Sequence, residues 1–190
     1  DGRKYTTQSD SDGKWLLKVS TPAAGGPYTI RISDGDPVTL ENVMIGEVWV
    51  CSGQSNMQMP VTGFPGQPVV GSNEAILNGT NSDIRMFVVR REVSDRPLDD
   101  CNTDTGWQEA TTESVAGFTA VGYFFGLNLY KVLGIPIGLI ETDWGVGLIE
   151  YTDNLDFQIP EKLDIEYDVC SKKRYGFLHI YTDNLHMVFK

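Results

Sequence analysis

Ser55 is the residue of this sequence that is best placed to act as a nucleophile. It lies in the stretch Ser52-Gly53-Gln54-Ser55-Asn56, which directly follows an apolar run at 48–51 that is typical of a buried β-strand. A serine where a strand ends and a turn begins exposes its hydroxyl and can point its backbone N–H at a substrate carbonyl oxygen. Gly53 permits the tight backbone path of such a turn. The pattern indicates acyl-transfer chemistry, and the structural alternative is a serine that caps the next helix or turn.

Met57 argues against one common kind of serine hydrolase. The nucleophile elbow of α/β-hydrolases requires Gly-x-Ser-x-Gly, and Met57 stands where the second glycine would be. An unrelated hydrolase of the lipase kind is therefore disfavoured.

Several other residues could do chemistry, but each has a structural interpretation. Trp49 and Trp144 could stack on sugar rings, although tryptophan beside a buried strand more often belongs to the core. Cys51 is expected to be a buried core thiol, and Asp143 is expected to be a surface turn residue. Glu141 and Glu150 are too isolated to be argued as a glycosidase pair, because the separation of the two carboxyl groups in space decides that and the sequence does not show it.

The elements that must position Ser55 are those of a parallel α/β sheet. Apolar runs predict strands at 48–51, 84–89 and 137–142, with an irregular connection over 60–80. A helix is expected at about 115–133, because Val121, Phe125, Leu129 and Leu133 fall four residues apart. Gly134 suits the position after its end, and strand–helix–strand order indicates parallel pairing.

The remainder of the chain divides around this unit. Residues 1–43 are expected to form a β-rich module, because turn signals alternate with short apolar segments, including the run at 15–19. The first half of a hydrolase domain is then assigned to 44–150, and 151–190 is an atypical C-terminal segment without a sustained period.

Composition restricts the partners. The 190-residue chain is 41% hydrophobic, which supports a folded core, and its formal net charge is −11. That charge disfavours nucleic acids and anionic membranes as partners. No apolar run approaches the ~20 residues that a membrane span needs. The three cysteines, Cys51, Cys101 and Cys170, fit no zinc pattern.

The block Gly46-Glu47-Val48-Trp49-Val50-Cys51-Ser52-Gly53-Gln54-Ser55-Asn56-Met57 resembles the nucleophile block of the sialate O-acetylesterase family, carbohydrate acetylesterases of the SGNH hydrolase superfamily. Gly122-Tyr123-Phe124-Phe125-Gly126 is similar to the family helix that packs beneath the site. Pro136-Ile137-Gly138-Leu139-Ile140, followed by Trp144-Gly145, resembles the second superfamily block. The resemblance covers about residues 1–150. It implies a flavodoxin-like parallel sheet with helices, preceded by a small β-sandwich-like module.

The resemblance also implies roles for individual residues. Ser55 would be the nucleophile, its N–H one oxyanion donor, and Gly145 a second, with Gln54 and Asn56 beside the substrate. The superfamily takes its base from an Asp-x-x-His block, which Asp183-Asn184-Leu185-His186 matches, so that Asp183 would orient His186. No metal or organic cofactor is implied, and the substrate would be a small O-acetylated sugar.

Two alternatives remain beside this interpretation. The family's Gln-Gly-Glu block does not occur in the sequence, and Val146 replaces a usual glycine. The chain could therefore be a truncated or spliced form that acts at most as a binding module. The alternative for His186 is an exposed histidine of the C-terminal segment without a catalytic role. The family implies a secreted or lysosomal glycoprotein, and Asn78-Gly79-Thr80 is an N-glycosylation sequon.

Overall fold

The computed structural model describes residues 2–96, 100–144 and the backbone of 187–189. Its elements, in chain order, are β1 (Gly25–Ser33), β2 (Pro37–Cys51), α1 (Ser55–Gln58), α2 (Ser72–Leu77), β3 (Asn81–Val88), β4 (Gln108–Ala110), α3 (Thr112–Gly117), α4 (Ala120–Leu133), β5 (Ile137–Glu141) and β6 (Met187–Phe189). Among the described residues, no helix is long and apolar enough to cross a bilayer.

Strand β2 belongs to two pairing systems. Its first part pairs antiparallel with β1 and, at Met44–Gly46, with β6. Its last five residues pair in parallel with β5, which in turn pairs in parallel with β3. Strand β4 pairs antiparallel with β3. The predicted strands at 48–51, 84–89 and 137–142 and their parallel arrangement are thus confirmed. Strand β2 runs without a break across residue 43, the predicted end of the β-rich module.

Helix α4 packs on the sheet through small residues. Gly122 and Gly126 are buried, and a Cβ at Gly126 would lie 2.7 Å from a terminal carbon of Leu139. A Cβ at Gly122 would lie 2.8 Å from the sulfur of Cys51. These glycines allow the helix backbone to approach β2 and β5 closely. The helix ends as predicted, because Gly134 adopts the left-handed conformation at its C-cap.

The predicted helix at 115–133 is two helices, α3 and α4. Phe118 and Thr119 interrupt the helix, and Thr119 caps α4 by accepting a hydrogen bond from the Gly122 N–H. Val121 and Phe125 are 51% and 43% exposed, because the buried side of α4 is its glycine side, with Tyr123. Four-residue spacing identified a stripe at the margin of the packed face: the Phe125 ring meets Trp49 of β2, and Leu129 packs against the core, whereas Val121 and Leu133 are exposed.

Two further expectations need correction. The run at 15–19 forms no strand, and none of residues 2–24 belongs to a helix or strand.

The predicted strand at 48–51 is not buried on both faces, because Trp49 is 42% exposed and Val50 is 39% exposed. The Trp49 ring meets the Phe125 ring edge-on, with 5.0 Å between the ring centroids. Within the described residues this part of β2 has a strand on one edge only, which leaves these side chains partly uncovered.

Candidate active site

Ser55 is exposed and is the first residue of α1, four residues beyond the end of β2. The N-cap residue is Gln54, and no side chain caps this helix. The interpretation of Ser55 as a helix cap is therefore wrong. Gln54 and Asn56 flank it and are also exposed. Within the described residues the serine hydroxyl is free to meet a molecule from solvent.

The backbone path to Ser55 is fixed by the segment that follows β5. The Thr142 N–H donates to the Cys51 carbonyl at 3.0 Å, and the Trp144 N–H donates to the Gly53 carbonyl at 3.0 Å. The hydroxyl of Ser52 reaches the Thr142 carbonyl at 3.4 Å. Parallel pairing therefore continues beyond both strands, and the serine loop rests on residues 142–144.

Helix α4 supports the other end of α1. The Thr119 hydroxyl lies 3.3 Å from the Met57 sulfur, and the Ala120 N–H donates to the Met59 carbonyl at 2.8 Å. A Cβ at Gly53 would lie 3.1 Å from the Cβ of Met57, so the loop and the helix are close to each other. Ser55 is thus held from two directions, by β5 and by α4.

Two carboxyl groups and an arginine lie where the parallel strands end. Glu141 and Asp143 have side chains 6% and 0% exposed. The Arg91 guanidinium, which follows β3, donates to the Asp143 carboxylate at 2.5 Å and to its carbonyl at 2.9 Å. It lies 3.7 Å from the Glu141 carboxylate. We call Arg91, Glu141 and Asp143 the carboxylate–arginine cluster. The expectation that Asp143 is a surface turn residue is wrong, because its side chain is buried and is paired with Arg91.

Glu141 connects this cluster to α4. Its carboxylate accepts the Thr119 N–H at 2.8 Å. Burial raises its pKa to about 7, and the negative charge of Asp143 adds to the rise, while the Thr119 N–H and Arg91 oppose it. The second carboxyl oxygen of Asp143 is buried and has no hydrogen-bond partner among the described residues.

Cys51 is buried as expected, next to this cluster. Burial, followed by the charges of Glu141 and Asp143, raises the pKa of its thiol to about 11. Such a thiol is almost entirely protonated at neutral pH and is a poor nucleophile compared with a thiolate. Cys51 is therefore a packing residue under α4.

Three of the site residues implied by the resemblance, Gly145, Asp183 and His186, lie outside the described residues. Their roles stay predictions. Of the residues proposed from sequence, the structure brings together Ser55, its two neighbours and Trp144, whose backbone holds Gly53. Within the described part of the chain, no group of three or more His, Cys, Asp or Glu side chains is arranged to hold a metal.

Comparison with known proteins identifies the lineage. No protein-family model matches the sequence. Sialate O-acetylesterase of Mus musculus is 31% identical over an alignment of 159 residues that covers 78% of this chain, and that of Homo sapiens is 30% identical with the same coverage. The crystal structure of a carbohydrate acetylesterase from Xanthomonas citri superposes with a TM-score of 0.70 at 33% identity, over 79% of this chain. This chain belongs to the sialate O-acetylesterase family.

The chain matches only a part of each of these relatives. The chain spans 29% and 30% of the two sialate O-acetylesterases and 34% of the Xanthomonas citri chain. The suspected family and the mixed, mostly parallel α/β fold are confirmed.

Sequence reasoning about this family member missed Arg91, assigned no buried role to Glu141, and wrongly placed Asp143 in a surface turn. One signal was available. Residues 141 and 143 are two apart at the end of an apolar strand, so their side chains share one face at the carboxyl edge of the sheet. Charged side chains at such an edge are candidates for a buried cluster rather than for a turn. Arg91 also follows a strand end, but the sequence does not say which strands are neighbours.

Proposed function

We propose that this chain carries the nucleophile of a carbohydrate O-acetylesterase, and that the nucleophile is Ser55. The observation that carries the proposal is an exposed serine at the first position of a helix, directly beyond the carboxyl end of a parallel strand, in a chain of the sialate O-acetylesterase family. Ligands of open parallel sheets bind at that edge.

The proposed reaction proceeds in two steps. The Ser55 hydroxyl oxygen attacks the acetyl carbonyl carbon while its proton passes to a base, and the sugar oxygen leaves with a proton as the acetyl-enzyme forms. Water then attacks the acetyl-enzyme and releases acetate and the free serine. Asp183 and His186 are our proposed orienting residue and base. No metal or organic cofactor takes part in this scheme.

The start of α1 supports stabilisation of the developing charge. The first N–H groups of a helix have no partner within it, so the Ser55 N–H can donate to a carbonyl oxygen that becomes negative. Gly145 is proposed as a second donor, and it directly follows Trp144, whose N–H is bonded to the Gly53 carbonyl. Loss of one such donor typically costs roughly 10²–10³ in rate.

We infer an O-acetylated sugar as the substrate class, with an acetylated sialic acid as the first compound to test. The relatives named sialate O-acetylesterase and the carbohydrate acetylesterase of Xanthomonas citri support acetyl esters of sugars. The open surface at Gln54, Ser55 and Asn56 supports a substrate that approaches from solvent.

The test is covalent labelling combined with turnover. We expect a fluorophosphonate probe to label the chain and a chromogenic acetate ester to be hydrolysed, and Ser55→Ala to abolish both. Ser72→Ala is the matched control, because Ser72 also begins a short helix without a side-chain cap. It should behave like the wild type. A folded chain that is neither labelled nor active would refute the proposal and favour the non-catalytic alternative.

A further inference from the structure

Within the described residues, the carboxylate–arginine cluster links the two segments that hold the serine loop, the one after β5 and the start of α4. Arg91 follows β3, Glu141 ends β5, and Asp143 lies in the segment that pairs with the loop. The Val89 N–H donates to the Glu141 carbonyl at 2.9 Å, which brings Arg91 alongside the two carboxyl groups.

Asp143 and Arg91 restrain the side of the loop that faces β5. The guanidinium binds both the carboxylate and the backbone carbonyl of Asp143, at 2.5 and 2.9 Å. Trp144 is the next residue, and its N–H is bonded to Gly53. Because Gly53 is two residues before Ser55, a movement of Asp143 would be transmitted to the serine through one hydrogen bond and a short stretch of backbone.

Glu141 restrains the side that faces α4. Its carboxylate accepts the Thr119 N–H, and Thr119 contacts the sulfur of Met57. Met57 lies in α1, two residues after Ser55. A single cluster, with two buried carboxyl groups and a partly exposed arginine, therefore connects to the chain on both sides of the serine.

We propose that Arg91, Glu141 and Asp143 are positioning residues that fix Ser55 for attack, with the protonation state of Glu141 setting how firmly they do so. This inference rests on the proposed function of Ser55.

The charges of the cluster explain the dependence on protonation. The groups that face Glu141 are Asp143 from its own segment, Arg91 after β3, the Cys51 thiol on β2 and the Thr119 N–H at the start of α4. With Glu141 protonated, one arginine balances one carboxylate, and the acid proton can be donated towards Asp143. With Glu141 ionised, two buried carboxylates face one arginine and repel each other. The pKa of about 7 brings this change into the neutral range.

A first experiment measures positioning without any need for activity. Hydrogen exchange of the full chain is compared between the wild type, Arg91→Gln and the control Arg31→Gln, an exposed arginine in β1. We expect Arg91→Gln to accelerate exchange of the Trp144 N–H and of the α1 amides at least about tenfold, since these bonds depend on the cluster. Unchanged exchange in a folded Arg91→Gln chain would overturn the inference.

A second experiment measures chemistry and its pH dependence. In Arg91→Gln, we expect kcat and the rate of fluorophosphonate labelling to fall about tenfold or more while KM changes little, because misplaced reacting atoms impair attack and not binding. The rate ratio of Glu141→Gln to wild type should be near one at about pH 5.5 and rise several-fold by about pH 8.5, because the amide imitates the protonated acid. A ratio that does not change with pH would refute the role of Glu141.

The two proposals fail in different ways. If the wild-type chain is neither labelled nor active, the proposed function is refuted, whereas hydrogen exchange still reports whether the cluster holds the loop. If Arg91→Gln does not fold, Glu141→Gln keeps the test decisive, since it replaces an acid by an amide of the same shape. The pH dependence of its labelling rate then confirms or overturns the inference alone.

Discussion

At the scale of single residues, Glu141 holds a carboxyl group in surroundings that oppose its ionisation. Its pKa is raised from 4.5 to about 7, first by burial and then by Asp143. The folded chain therefore binds more protons than the unfolded chain between these two values. The folded state loses stability as the pH rises through this interval, and the whole penalty is present above about pH 7.

We expect Glu141→Gln to remove this pH-dependent loss. The amide is neutral, can accept the Thr119 N–H and can donate towards Asp143. Thermal unfolding between about pH 5 and about pH 8 should show the Tm of the wild type falling relative to that of the variant as the pH rises. Glu41→Gln, at an exposed position of β2, should follow the wild type. The same pH slope for wild type and Glu141→Gln would contradict the prediction.

The site was predictable from sequence only in part, for a physical reason. The prediction of Ser55 rests mainly on the resemblance of residues 46–57 to the family's nucleophile block, because a strand followed by a glycine-containing turn is only a weak local pattern. The ion-pair partner of the buried Asp143 is Arg91, 52 residues earlier in the chain. Charge pairing between strand ends depends on the order of strands in the sheet, and local patterns do not specify that order. A charged residue considered alone is therefore assigned to the surface.

At the scale of elements, the contact between α4 and the sheet depends on the absence of side chains. A Cβ at Gly126 would meet three carbons of the Leu139 side chain at 2.7–3.1 Å, and Leu139 is 0% exposed. Alanine is a better helix former than glycine by about 1 kcal/mol. Overpacking of a close contact typically costs about 1–3 kcal/mol. The overpacking cost exceeds the gain in helix propensity, because a fully buried leucine has little room to move.

We therefore expect Gly126→Ala to lower the free energy of unfolding by about 1–2 kcal/mol. Gly117→Ala is the matched control: this glycine is exposed at the end of α3, and a Cβ there would meet nothing within 4 Å. The control should be neutral or stabilising by up to about 1 kcal/mol. Urea unfolding measures both variants, and a stabilising Gly126→Ala would show that the helix can move away from β5.

The elements themselves were easier to predict than their packing. Apolar runs identified β3 and β5, and Gly134 identified the end of α4, because these signals act within a few residues. Hydrophobic spacing gives weight to large side chains and does not show where small residues make the closest contact. Here glycines form the contact, and Val121 and Phe125 lie on the more exposed side. The break at Phe118–Thr119 was missed because Thr119 is engaged by Glu141, which lies far away in sequence.

At the scale of the whole described chain, β2 is the element that both pairing systems share. Residues 37–45 pair with β1, Met44–Gly46 pair with β6, and residues 47–51 pair with β5. The same strand then leads directly into the serine loop. The N-terminal hairpin and the parallel sheet cannot separate without breaking β2, so we infer that they unfold together.

Gly46 lies where β2 passes from one pairing system to the other, and it tests this inference. A Cβ at this position would lie 1.9 Å from the Pro136 carbonyl oxygen, which also accepts the Glu47 N–H at 3.1 Å. That oxygen cannot move aside without breaking the first link between β2 and β5. We expect Gly46→Ala to lower the free energy of unfolding by about 3 kcal/mol or more, at the upper end of overpacking costs.

Urea unfolding followed by circular dichroism and by tryptophan fluorescence measures this effect. The two signals should shift together in Gly46→Ala, because damage at the junction weakens the hairpin and the parallel sheet at once. Thr39→Ala, an exposed change in the same strand, should alter stability by no more than about 0.5 kcal/mol. Separate transitions for the two signals would show that the two pairing systems unfold independently. A loss of unfolding free energy below about 1 kcal/mol would show that β2 can bend at residue 46.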